Sequence, residues 1–224
     1  MPQPSTRPVQ LTNPPSGLTH TIPATDISLP EVRQTFETNV FGPMAMIQAH
    51  VHQLIAARGL IINISSLSSI TPYTFGSVYC GTKGALSAYS RTLRSELRPF
   101  GVRVMVAMVG TVRSNIAKLH RALPEDSLYQ PVADMYRWRL TFSQSNTRCT
   151  AEELAQSLVS AALREPGWFS RGPPDWFWGG TNSTLVWLLS CLGEWVTDRG
   201  IYPFMRIPEM TRRLAPVAAK MKKT

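Results

Sequence analysis

Tyr79 and Lys83 stand four residues apart, and Ser66 lies thirteen residues ahead of the tyrosine. On a helix that four-residue spacing puts a phenol and an ammonium on one face. A free phenol, with a pKa of about 10, is a poor acid-base group at neutral pH unless a nearby cation favours the phenolate. Lys83 is suited to be that cation. A hydroxyl such as Ser66 can donate a hydrogen bond to a carbonyl oxygen while Tyr79 delivers or removes the proton, which is the division of labour a carbonyl reduction requires. Taken singly, the pair also reads as solvated neighbours on a helix face, and Ser66 as a turn former.

The surrounding elements must bring these groups together. Leu60 to Ile64 is an apolar run broken only by Asn63 and followed by Ser65 and Ser66, a pattern that predicts a buried strand of a parallel sheet ending in a polar loop. A helix is predicted from about Ser77 to about Leu97, closed by Arg98-Pro99-Phe100-Gly101, and Val102 to Val109 predicts a second buried strand. Strand, long helix, strand is a βαβ unit with a right-handed crossover. The serine loop, the Tyr79 helix and Gly110 to Ser114 then gather at the carboxyl ends of the strands, where open α/β sheets place ligands. Upstream, Ser28 and Glu31 form a capping box with Pro30 in the first turn, opening a helix from about Leu29 to about Ala57 that Gly42-Pro43 should bend near Asn39. Downstream, Thr150-Ala151-Glu152-Glu153 opens a further helix.

With these residues in register, the chain resembles the short-chain dehydrogenase/reductase family. Ser66 stands as far before Tyr79 as the family's catalytic serine does. Asn39, in Thr38-Asn39-Val40-Phe41-Gly42, falls where the family carries its fourth catalytic residue, and Gly110-Thr111-Val112-Arg113-Ser114 resembles the segment that touches the nicotinamide end of the cofactor. Ser-Ser-Leu-Ser-Ser and Gly-Thr-Val-Arg-Ser-Asn are most similar to a fungal branch that includes 1-acyldihydroxyacetone phosphate reductase. The resemblance implies an NADP(H)-dependent oxidoreductase that interconverts a ketone and a secondary alcohol on a hydrophobic, lipid-like or secondary-metabolite substrate. It makes Tyr79 the acid-base. Lys83 would lower the phenol's pKa and hydrogen-bond the nicotinamide ribose, Ser66 would polarise the carbonyl, and Asn39 would hold a water linking Lys83 to solvent. Val112 and Ser114 would line the cofactor. The implied fold is α/β, a Rossmann-like doubly wound parallel sheet, with the polar and basic stretch from Asn115 to Thr150 as a substrate-covering lid.

One part of the family pattern has no counterpart. No G-x-x-x-G-x-G or G-x-G-x-x-G run occurs, and thirty-eight residues precede Asn39, too few for the first βαβαβ half that forms most of a dinucleotide site. The expectation is therefore a partial sheet with its N-terminal βαβ half missing. It would occupy one truncated catalytic domain, residues 18–224, behind an irregular Pro-rich arm, residues 1–17, in which Pro14-Pro15-Ser16-Gly17 stands at best for the family's Asn-Asn-Ala-Gly. Such a sheet leaves an unpaired apolar strand edge that invites pairing with another copy of the chain. The alternative to an enzyme is then a non-catalytic remnant that cannot bind cofactor, acting as a partner-binding protein or representing a truncated gene product.

Composition sets the outer bounds. The 224 residues are 43% hydrophobic and carry a net charge of +9, enough for one substantial core. The basic residues are scattered, without zinc-finger spacing or a base-reading helix, which argues against nucleic acid. His50 and His52, two apart, face different sides of a helix and share no metal. The start has no basic and apolar leader pattern, and three cysteines form no C-x-x-C pair, so a reducing, cytosol-facing location is expected, compatible with the surface of the endoplasmic reticulum or a lipid droplet. Five of six tryptophans fall between Trp168 and Trp195, in an aromatic and basic C-terminal region, residues 168–224. There Thr184 to Leu192 is nine nearly unbroken apolar residues, well short of the roughly twenty that span a bilayer. It reads first as a buried helix lining a greasy pocket and second as a peripheral membrane contact.

Overall fold

The computed structural model describes residues 9–11, 17–113, 121–167 and 170–222. Its centre is a four-stranded parallel sheet in the order β1 (Val9–Leu11), β2 (Leu60–Ile64), β3 (Arg103–Val109) and β6 (Trp176–Gly179). Between β1 and β2 run α1 (Leu29–Phe36), a π-helical turn (Glu37–Phe41) and α2 (Gly42–Ala57). Between β2 and β3 runs α3 (Ser77–Leu97). After β3 come α4 (Ala133–Ser145), α5 (Ala151–Ala162) and a small hairpin of β4 (Pro166–Gly167) and β5 (Ser170–Arg171). The chain ends in α6 (Ser183–Ser190), α7 (Glu194–Phe204) and α8 (Ile207–Met221). This is the expected α/β class, a partial Rossmann-like sheet with helices on both faces.

Strand alternation decides which helix covers which face. Ile61 and Val104 pack with Ile47, Leu54, Leu93 and Leu97 of α2 and α3. Their neighbours Leu60, Ile62, Met105 and Ala107 pack with Ala161 and Ala162 of α5. The sheet is buried on both sides, so its strands read as nearly continuous apolar runs. Asn63, the one polar residue in β2, is fully buried and donates to Ser90 Oγ at 2.8 Å. The helix starts also form as their sequences dictate. Ser28 with Glu31 and Thr150 with Glu153 both close complete capping boxes.

Two expectations are corrected. The segment through Gly17 is not irregular throughout, because Val9–Leu11 pairs in parallel register with Leu60–Ile62. Val9, Gln10 and Leu11 lie between Pro8 and Pro14 and keep every backbone donor, so this short stretch can join a ladder that its flanking prolines cannot. The strand edge of β2 is therefore paired. Nor is the apolar run after Thr184 a buried helix. Leu185, Trp187, Leu188 and Leu192 are 57%, 44%, 52% and 65% exposed, and Val186 alone of its large apolar residues is buried. A helix of eight residues that is apolar all round can lay only one face on its neighbours, here Val186 against Val106, Met108 and Trp178. Among the described residues no helix is long and apolar enough to cross a membrane.

Burial separates core from surface in a measurable way. Ile61→Ala, at a fully buried site, is expected to lower the unfolding free energy by about 2–5 kcal/mol. Leu192→Ala, at a site 65% exposed, should change it by less than about 0.5 kcal/mol. Equilibrium urea unfolding of the two variants beside the wild type checks both.

Candidate functional site

The site is built where β2 ends. Ile64 is its last residue, Ser65 continues the ladder by donating its amide to Ala107 O, and Ser66 opens a one-turn 3₁₀ segment, Leu67–Ser69. Ser66 Oγ accepts from Ser68 N at 3.2 Å, which fixes the hydroxyl at the lip of the sheet. Opposite stands the first half of α3. Lys83 Nζ donates to Ile64 O at 2.9 Å, and Ser65 Oγ reaches both Lys83 O at 3.2 Å and Ser87 Oγ at 2.7 Å. Strand end and helix are therefore stitched together at the height of the chemistry.

Tyr79 and Lys83 share a face of α3, with the Lys83 ammonium 5.8 Å from the centroid of the Tyr79 ring. Both are perturbed by burial, in opposite directions. Loss of water pushes the Tyr79 phenol up to about 12, and a hydrogen bond with the Ser66 hydroxyl offsets part of that rise. Desolvation brings the Lys83 ammonium, only 5% exposed, down to about 8. The expectation that Lys83 lowers the phenol's pKa is thus not met in this structure. Burial is the largest influence on the phenol, so at neutral pH Tyr79 keeps its proton.

Asn39 lies in the π-helical turn, where the extra residue per turn re-aims its side chain. It is 2% exposed and fully engaged with protein. Its Oδ1 accepts from Leu18 N at 2.9 Å, and its Nδ2 donates to Leu18 O at 2.8 Å and to Thr82 Oγ1 at 3.1 Å. Asn39 therefore clamps the loop after β1 against α3, meeting it one residue before Lys83. Val112 lies across the mouth of the site, bridged in parallel register to Cys149, while Thr111 bridges to Thr181. The close approach needs glycine at position 110, where a Cβ would lie 2.1 Å from Thr181 O. Ser114, also expected to line a cofactor, lies outside the described residues.

A cavity of about 390 Å³ joins Ser66, Tyr79, Lys83 and Val112. Sequence reasoning missed several of its walls: Gly17 and Thr19 to Thr21 in the loop after β1, Arg139, Leu140 and Phe142 of α4, and Phe204 of α7. One signal was available for Arg139. It sits at the spacing of Met135, Tyr136 and Leu140, a charge on an otherwise apolar helix face. The donors at the inner end, an ammonium, a phenol and a serine hydroxyl, suit a ribose diol and a carbonyl. They fit the nicotinamide-ribose end of a dinucleotide, whereas the sequence offers no glycine-rich run for its pyrophosphate.

The chain is similar to known proteins along most of its length. A family model described as short chain dehydrogenase matches residues 10–123. The short-chain dehydrogenase fogD of Aspergillus ruber is 39% identical over 173 residues, which cover 76% of this chain and 58% of that protein. The NADPH-dependent 1-acyldihydroxyacetone phosphate reductase of Schizosaccharomyces pombe is 33% identical over 180 residues, 77% of this chain and 58% of that one. The chain thus spans less than two thirds of the length of these relatives. Among solved structures, a short-chain dehydrogenase from Streptomyces avermitilis superposes with a TM-score of 0.66 at 23% identity, covering 91% of this chain and 70% of its own. One from Burkholderia cenocepacia, in complex with NADP, gives 0.62 at 19% identity, covering 88% and 68%. These two likenesses are of fold.

Lys83 sets a pH dependence of stability with a definite sign. Its folded pKa of about 8 lies below the ordinary 10.5, so the unfolded chain holds this proton more tightly and stability rises with pH across that interval. The contribution is present above about 10.5 and is lost as pH falls through about 8. Lys83→Met is expected to flatten the rise of the urea midpoint between about pH 8 and pH 10, read as the difference between variant and wild type.

Proposed function

We propose that this chain, which belongs to the short-chain dehydrogenase family, interconverts a ketone and a secondary alcohol on a hydrophobic substrate, with NADP(H) as its redox partner. The observation that carries this reading is the convergence of a protonated Tyr79, the Ser66 hydroxyl and the Lys83 ammonium on one cavity with apolar walls from Leu67, Val109, Leu140 and Phe204. Lys83 and Tyr79 would hold the nicotinamide ribose, and Val112 would lie against the ring; bound there, the cofactor supplies or accepts the hydride. The choice of NADP(H) is supported by the relative named for NADPH and by the NADP-bound structural neighbour.

Each residue has one task. Ser66 donates a hydrogen bond to the carbonyl oxygen and fixes its position. Tyr79, a phenol held well above neutral pH, gives its proton to that oxygen as the alcohol forms, leaving a phenolate. The nearby Lys83 ammonium stabilises this phenolate more than it does the neutral phenol, so the cation matters most after the proton has left. Asn39 acts through position, holding the loop at Leu18 against α3. The exposed Leu185, Trp187, Leu188, Leu192 and Trp195 support peripheral contact with a membrane surface, a suitable source of an apolar substrate.

A second reading, a partner-binding chain without catalysis, is favoured by the exposed apolar surface of Leu185, Trp187, Leu188 and Leu192. Titration with NADPH, followed by fluorescence, separates the two. Saturable binding is expected, with ketone-dependent NADPH oxidation that falls by about 10²–10⁴-fold in Tyr79→Phe while cofactor affinity is kept. No binding at millimolar NADPH would remove the enzymatic reading.

A further inference from the structure

Among the described lining residues Arg139 is a second cation beside Lys83, and it has no task so far. Its side chain lies on α4 among Met135, Tyr136 and Leu140 and is 9% exposed. A guanidinium is rarely withdrawn from water without a carboxylate or another anion to meet it. Here the partners are neutral. Nε donates to Thr74 O at 3.2 Å, and the guanidinium carbon lies 5.2 Å from the centre of the Tyr73 ring. The two groups that interact with it by charge, Tyr73 and Cys80, are both held in their uncharged forms by burial.

The acids that could serve it are committed elsewhere or distant. Asp134, on the same helix, is taken in a two-pronged bond by Arg213 at 2.7 and 2.8 Å. Glu31 pairs with Arg121, Asp175 with Arg94, and Glu209 with Arg206. No Asp or Glu lines the cavity among the described residues, and the segments outside them contain neither residue type. What remains is a rigid fork of N–H donors on the cavity wall, opposite in kind to the apolar surface of Leu140, Phe142 and Phe204 beside it.

We propose that Arg139 receives an anionic group of the substrate, a carboxylate or a phosphate monoester, while the carbonyl is presented to Ser66 and Tyr79. The inference rests on the reading of this cavity as a ketone site and adds its substrate class: an acidic, otherwise apolar carbonyl compound. A guanidinium binds such groups through two parallel hydrogen bonds, which orients the ligand as well as attracting it. Arg139 is thus a binding residue on the same cavity as the proton donor, and its contacts with Tyr73 and Thr74 set the direction of the fork.

The test reads binding alone, so it does not depend on turnover. Affinities of the wild-type chain are measured by calorimetry for 4-oxodecanoate against its methyl ester, and for decyl phosphate against decanol. The acidic member of at least one pair should bind tenfold or more tightly. Arg139→Met should erase that preference while binding the neutral member unchanged, Arg139→Lys should keep part of it, and Lys83→Met should retain it. Equal affinity for acid and neutral partner in the wild type overturns the proposal, whether or not any variant folds. So does a preference that survives in Arg139→Met, or one that disappears only with Lys83. If the acids bind as expected while NADPH oxidation is never seen, the enzymatic reading fails and the anion site stands.

Discussion

The site depends on how the end of β2 is fastened to α3. A strand that ends in a loop has spare carbonyls and amides, and a helix passing over it has none to offer from its interior. Side chains must make the join. Asn63 to Ser90, Ser65 to Ser87 and Lys83 to Ile64 O form three successive polar links between the two elements. Each is buried or partly so, where a satisfied hydrogen bond holds its geometry and a broken one leaves a costly orphan. Tyr79 and Ser66 do not have to find each other, because the links just before Ser66 and just after Tyr79 fix the distance between their backbones. Lys83 is both a fastener and a charge in this arrangement. Its stem crosses from helix to strand, and its ammonium stays within reach of the Tyr79 ring.

Much of this was legible because it is local. The limits of α3 and β2 follow from apolar periodicity and from the Gly and Pro residues that bound them, and the two capping boxes are written in four residues each. The disturbance near Asn39 was also visible, though not its form. Gly42 and Pro43 suggest a bend, while the chain inserts a π-helical turn immediately before them and turns Asn39 toward Leu18 and Thr82. What stayed hidden depends on distant partners. Val9–Leu11 becomes a strand only because Leu60–Ile62 offers it an edge. The apolar run at Thr184 is exposed because it is too short to be enclosed, a matter of how much neighbouring surface is available rather than of composition. The value of Arg139 could not be read from one helix, since what distinguishes it is the lack of a carboxylate across the cavity.

The proton chemistry of the cavity was the least predictable part. From sequence, the spacing of Tyr79 and Lys83 suggests a cation that draws the phenol's pKa down. In the folded chain burial acts on both groups in the sense that favours the neutral form, raising the phenol and lowering the ammonium. The two values move apart and exchange their ordinary order, the phenol rising from 10.0 to about 12 and the ammonium falling from 10.5 to about 8. A phenol in this state gives up its proton only when something nearby repays the charge left behind, so a substrate oxygen that is gaining negative charge is the natural acceptor.

That requirement ties the two cations of the cavity together. Lys83 at the inner end and Arg139 on the wall of α4 face a space with no carboxylate among its described lining residues. Positive charge in a poorly hydrated cleft attracts negative charge strongly, because little water intervenes to screen it. A carbonyl carries only a partial negative charge on its oxygen when it arrives and a larger one as it is reduced, so a fixed positive field stabilises the later state more than the earlier one. In the proposed reaction Ser66 acts on the reacting oxygen through a hydrogen bond, and Arg139 acts on it only through its field. Its larger effect is on a full charge carried elsewhere on the same ligand. In the proposed reaction the cavity therefore divides the work by the kind of charge: Ser66 and Tyr79 act on the charge that develops, and the guanidinium acts on a charge already present.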